Sequence, residues 1–171
     1  DGGEVFDLEE GDSTIQSIRV LGKLLIVYKR GIIFRGDYTG GVDSSTRFQS
    51  TVTTEGAIST HAVVKVPGKH YVVGSKNVYE YTGGMQLNNI GDPIREVLFS
   101  PKRFANITQK EFIHCTYDPE QQEFLLFYPE GTVKGMRKAF RYSEQYQSWT
   151  SREYTHYFNF SNTFRSVETL T

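Results

Sequence analysis

Nucleophilic chemistry has one place to start in this chain, Gly11-Asp12-Ser13, where a serine follows an acidic turn. A serine becomes a nucleophile only beside a base, which such a block takes from an Asp-x-x-His further on. No Asp is followed three residues later by His, so Ser13 is expected to open a connector and to do no chemistry. The histidines His61, His70, His114 and His156 show no His-x-x-x-His spacing, and each is expected to be structural. His114-Cys115 is the one adjacent pair of possible ligands, and neighbours on a strand point to opposite faces. With Cys115 the single cysteine, disulfide frameworks and cysteine-based zinc sites are both excluded.

Carboxylates gather at Glu9-Glu10 and at Asp118, Glu120 and Glu123 around one turn. A glycosidase needs two of them roughly 5 to 10 Å apart across a cleft. Acids at a turn are expected to be solvated. The segment from Gly36 to Gly41 lacks the spacing of a phosphate loop and no helix follows it. Lys29-Arg30 with Arg35, and Lys134 with Arg137-Lys138, are small basic clusters expected at solvated turns. Arg19, Arg47 and Arg95 are the arginines that a propeller glycosidase would have to recruit, and no pattern points to them. No catalytic, cofactor-binding or metal-ligating residue is assigned, and no cofactor is expected.

The elements that position these residues read as strands. Short runs rich in Val, Ile, Phe and Tyr recur between turn residues, whereas helical spacing is rare. Gly22-Lys23-Leu24-Leu25-Ile26-Val27-Tyr28 turns through Lys29-Arg30-Gly31 into Ile32-Ile33-Phe34-Arg35-Gly36-Asp37. Lys69-His70-Tyr71-Val72-Val73 turns through Ser75-Lys76-Asn77 into Val78-Tyr79-Glu80-Tyr81. Gly22 matches Gly68, Lys23 matches Lys69 and Val27 matches Val73 at an offset of 46 residues, a period that strand-built propeller blades give. A third hairpin runs from Phe112 to Tyr128 through Asp118-Pro119, and a fourth pairs Lys138-Ala139-Phe140-Arg141-Tyr142 with Ser148-Trp149-Thr150-Ser151-Arg152. One short helix is predicted, capped by Asp92, opened by Pro93 and stopped by Pro101, with Ile94, Val97 and Leu98 on its packed face. Ile15 and Ile18 suggest a shorter connector of the same kind. Residues 37–46 read as an exposed loop and 154–164 as a last strand or two.

Of the chain's 171 residues, 19 are Lys or Arg and 20 are Asp or Glu. That balance argues against a dedicated nucleic-acid binder, which neutralises many phosphates with clustered cations. Twelve Phe and 11 Tyr supply a real core, so the disordered class is excluded. The longest apolar stretch, Leu24 to Tyr28, is far short of the roughly 20 residues a spanning helix needs. The rings are expected to fill the wedge between sheets, with Trp149 packed between blades and its N–H bonded to a loop carbonyl.

The run from Asp12 to Asp37 resembles a blade of tailed-bacteriophage neck and tail propellers, of the packaged-DNA stabilisation or tail-nozzle type. Arg47-Phe48, Glu55-Gly56-Ala57-Ile58-Ser59, His61-Ala62-Val63-Val64 and the hairpin to Tyr81 resemble the next blade. Asn89-Ile90-Gly91-Asp92-Pro93-Ile94 resembles the lead into another, with Phe124-Leu125-Leu126-Phe127-Tyr128-Pro129, Phe140-Arg141-Tyr142 and Ser148-Trp149-Thr150 as its strands. The resemblance implies an all-β fold of β-propeller-like blades of antiparallel hairpins, an incomplete propeller with one short connector helix. It implies one region over 1–171, with blade units near 12–46, 47–90 and 105–171, as part of a longer chain.

It also implies a non-enzymatic structural virion protein: a ring or nozzle below the portal that retains packaged DNA and conducts it during ejection. The implied partners are other copies of the chain in a ring, neighbouring portal, adaptor and tail proteins, and passing viral DNA without sequence-specific binding. No membrane is involved, and the place is the virion, assembled in the bacterial cytoplasm. Two other readings stay open. One is a tail or adhesion module that binds host glycan or protein through Tyr38, Tyr146 and Tyr154; the other is a propeller glycosidase.

Overall fold

The computed structural model describes residues 8–10, 14–38, 46–99, 112–129 and 136–158. They form three four-stranded antiparallel sheets, each a meander in which every strand pairs with the next. The first holds β1 (Ile15–Leu21), β2 (Leu24–Lys29), β3 (Ile33–Tyr38) and β4 (Thr46–Val52). The second holds β5 (Val63–Val66), β6 (Lys69–Val73), β7 (Val78–Tyr81) and β8 (Asn88–Asn89). The third holds β9 (His114–Asp118), β10 (Glu123–Tyr128), β11 (Met136–Ser143) and β12 (Ser148–Phe158). The fold is all-β and blade-like, as expected, and all four expected hairpins are present.

Three boundaries differ from the sequence reading. The expected connector at Ile15 and Ile18 is strand β1, because Ser17 and Leu21 face inward with a strand's alternation while Ile15 and Ile18 stay half exposed. Residues 46–52 close the first sheet and do not open the second, since β4 pairs with β3 from Tyr38↔Thr46 to Ile33↔Val52. The helix is a 3₁₀ turn, Asp92–Ile94, running into one short turn α1 (Arg95–Phe99). Gly91 occupies the cap position, and Asp92 instead accepts a hydrogen bond from Asn77 Nδ2 at 2.6 Å. Ser13, Lys134 and residues 39–45 and 159–164 lie outside the described residues.

The internal repeat is real, but its step is 45. Leu21↔Leu24 closes the first hairpin and Val66↔Lys69 the second, each residue 45 after its counterpart. At the far end Tyr28↔Ile33 and Val73↔Val78 keep the same step. The offset of 46 came from aligning turn glycines that occupy adjacent positions: Gly22 comes first in its turn and Gly68 second, both with the left-handed φ that glycine tolerates, +60° and +77°.

The sheets pack face to face, and their first strands adjoin in series, β1 against β5 and β5 against β9. Between the first two lie Leu21, Ile26, Tyr28, Ile33 and Val52 against Val63, Val72 and Tyr81. Between the second and third lie Tyr71, Val73, Phe124, Leu126, Phe140 and Tyr142, joined by Ile94 and Leu98 from the helical segment. Tyr71 and Phe124 stack with ring centroids 4.8 Å apart, so the aromatics do fill the wedge.

Candidate functional site

The turns β1–β2, β5–β6 and β11–β12 fall at one end of the molecule. Two links show this. Arg35, near the end of β3, donates to the carbonyl of Gly83 in the β7–β8 loop, and Lys69, at the β5–β6 turn, pairs with Glu144 in the β11–β12 turn at 3.1 Å. Glu144 is the hub of that end. It accepts hydrogen bonds from the hydroxyls of Tyr71 and Tyr117, the latter at 3.0 Å, while Lys69 also reaches Glu80 at 3.1 Å. Burial pushes the Glu144 carboxyl up, but the Tyr71, Lys69 and Tyr117 donors hold it below the ordinary carboxylate range. Both tyrosine hydroxyls are raised, first by burial and then by the carboxylate they serve. A hydroxyl that stays protonated and donates to a fixed carboxylate is a strut.

The same end carries the exposed large apolar side chains of the loops. Tyr38 at the end of β3 is 67% exposed, Met85 in the β7–β8 loop 68%, and Tyr146 in the β11–β12 turn 73%. Of the three tyrosines expected to sign a recognition face, the structure brings Tyr38 and Tyr146 to one end. Tyr154 lies on β12 against Phe127, with its ring under the Arg152 guanidinium.

The remaining candidates are placed singly. His70 is fully buried, accepts from the Tyr28 hydroxyl at 2.8 Å through Nδ1 and donates to the Val20 carbonyl through Nε2, which ties the first sheet to the second. Its pKa is lowered, first by burial, so the neutral ring serves as a two-way link. His61 and His114 form a pair that no sequence spacing announced: their rings lie 5.2 Å apart, because the Cys115 N–H donates to the His61 carbonyl. Burial, then His61, holds the His114 ring down to about 4. Cys115 points the other way into the core, where burial raises its thiol. His156 is exposed near the end of β12. No group of three or more metal-ligating side chains occurs among the described residues.

Asp118 Oδ1 accepts from the Glu120 and Gln121 N–H groups, closing its turn, and Glu123 is paired with Arg141. They do not face each other across a cleft as a glycosidase pair would. Arg19, Arg47 and Arg95 sit on β1, β4 and α1 and do not converge. Arg95 borders an open cleft of about 620 Å³ beside Lys76, Asp92 and Glu96, where charges of both signs balance. Lys29 departs from its expected solvated turn. Its ammonium is buried over the Phe34 ring and donates to the carbonyls of Leu8 and Glu10 at 2.7 and 2.9 Å. Arg35 pairs with Asp37 and Arg137 with Glu153.

Compared with known families and curated proteins, the chain matches no protein-family model and no curated protein.

Proposed function

We propose that the chain is a non-enzymatic structural component of a virion, a blade segment of a tailed-phage neck or tail propeller that assembles in a ring around the DNA path. The observation that carries this reading is the serial packing of three like sheets through apolar faces, with several buried polar contacts joining one blade to the next. Tyr28–His70, Thr51–Tyr81 and Tyr71–Glu144 each cross a blade boundary. Groups used in this way stiffen a body and are withdrawn from chemistry. The near-neutral balance of 19 basic and 20 acidic residues also suits a wall that must let phosphates pass. Quantitative mass spectrometry of purified particles from the source strain tests it: the expected result is a small, fixed number of copies per particle. Absence from particles overturns it.

A second reading is favoured by the exposed Tyr38, Met85 and Tyr146 at one end, namely a loop face that binds host glycan or protein. Binding to host cells that is lost in Tyr38→Ala with Tyr146→Ala supports it, and binding that survives both substitutions removes it.

A further inference from the structure

Two imidazoles meet where blade 2 joins blade 3, the second and third sheets. His61 lies in the link that leads into β5, and His114 is the first residue of β9. Their ring centroids are 5.2 Å apart, with the planes tilted by 35°. His61 is exposed and His114 half-buried, so the pair is open to solvent on the His61 side. The backbone fixes that spacing. The Cys115 N–H donates to the His61 carbonyl at 2.9 Å and the Ser59 hydroxyl to the Ile113 carbonyl at 3.2 Å, so the link is clamped to the start of β9 at two points. The same link is held to β6, where the Ile58 N–H donates to the Val73 carbonyl and the Val73 N–H to the Ala62 carbonyl, both at 2.9 Å. Side chains carried on a backbone fixed in this way meet a ligand with little ordering cost.

The blade repeat does not require the pair. Forty-five residues before His61 the first blade carries Gln16, and, counted back from the strand ends Val66 and Asp118, His114 matches Ala62. Blades 1 and 2 therefore join with no imidazole at either place. What the two rings add is chemistry for a metal. An imidazole nitrogen binds zinc at about 2.0–2.1 Å and lies about 1.1 Å from its own ring centroid, so two rings on one tetrahedral ion stand roughly 5.2 Å apart. A metal ligand must also be a neutral imidazole, and burial keeps the His114 ring in that form.

We propose that His61 and His114 bind one zinc ion, which ties the link before β5 to the start of β9 and so joins blade 2 to blade 3. No group of three metal-ligating side chains gathers among the described residues, so water fills the other two positions of the tetrahedron. An ion held this way exchanges freely and stabilises the folded chain by mass action. The site stands on the geometry of the two rings and does not depend on the virion reading.

Calorimetric titration of the untagged 171-residue chain, first stripped with a chelator, tests it. The expected result is one zinc per chain, with no binding of magnesium or calcium, which prefer oxygen ligands. His61→Ala and His114→Gln, each with a native circular-dichroism spectrum, should each weaken zinc binding at least about tenfold, a loss seen even when only the groups behind a ligand are removed. Should His114→Gln fail to fold, His61→Ala, at the exposed ring, decides alone. His156→Ala, at the exposed histidine of β12, should leave binding unchanged. Saturating zinc should raise the melting temperature of the unaltered chain and not that of His61→Ala. Absence of zinc uptake at millimolar concentration overturns the site. So does uptake that a folded His61→Ala or His114→Gln retains undiminished, or that His156→Ala abolishes.

Discussion

Several charged and hydroxyl side chains of this protein join one sheet to the next, and His114, His70 and Glu144 make it acid-sensitive. His114 is neutral in the folded chain, held down to about 4 by burial and by His61, against an ordinary 6.5. The unfolded chain therefore binds a proton first as pH falls. Stability is full above about 6.5, declines down to about 4 and changes no further below that. Glu144 adds to the loss lower down, because a carboxyl held below its ordinary range contributes stability above that range and surrenders it as it protonates. Thermal melts from pH 7.5 to 4 should show this decline, and His114→Gln should flatten the part between 6.5 and 4; an unchanged slope would mean the His61–His114 pair is not its source. Tyr71→Phe removes one donor from the Glu144 carboxylate and is expected to cost about 1.5 kcal/mol in denaturant unfolding, whereas Tyr38→Phe at an exposed site should cost nothing measurable.

Strands and their turns were legible where local chemistry decides them. Asp118-Pro119, the apolar run of β2 and the Trp149 N–H, which donates to the Ile90 carbonyl at 2.6 Å, all follow from residue types within a few positions. What stayed hidden depends on partners far along the chain. Lys29 looks like a solvated turn residue until Leu8 and Glu10 return over it, and the His61–His114 pair exists because the chain crosses beside β9. Ile15 and Ile18 stand three apart, which reads as helical in sequence, but the bulge between Ile15 and Ser17 in β1 produces the same spacing. The link from β4 into β5 offers a sharp test. The Ala57 N–H donates to the Lys29 carbonyl at 2.9 Å, and a Cβ on Gly56 would stand 1.9 Å from that same oxygen. Gly56→Ala should therefore destabilise the protein by about 3 kcal/mol, since the nearest atom is backbone and cannot swing aside. Gly31→Ala, with open space around its Cβ, is the control and should leave the melting temperature within a degree or two.

Over the whole molecule, blades that touch only their neighbours should unfold from an end inward, as repeat proteins do. The two internal interfaces are unequal. That between blades 2 and 3 buries the larger cluster, including the stacked Tyr71 and Phe124, the Trp149 indole and the helical segment's Ile94 and Leu98, whereas blade 1 holds on through the smaller one. Blade 1 also carries the half-exposed Ile18 and Val20 on its first strand, which leaves β1 less buried than β5 with its Val63 and Val66. Local opening free energies scale with such buried contacts. Amide hydrogen exchange in β1 through β4 should therefore be faster than in β6, β10 and β11, by roughly tenfold for each 1.4 kcal/mol of difference in opening. Tyr28→Phe, which removes the bond to His70 at the first interface, should speed exchange in blade 1 and leave blade 3 unaffected. Uniform exchange across all three sheets would mean that the body opens as one cooperative unit.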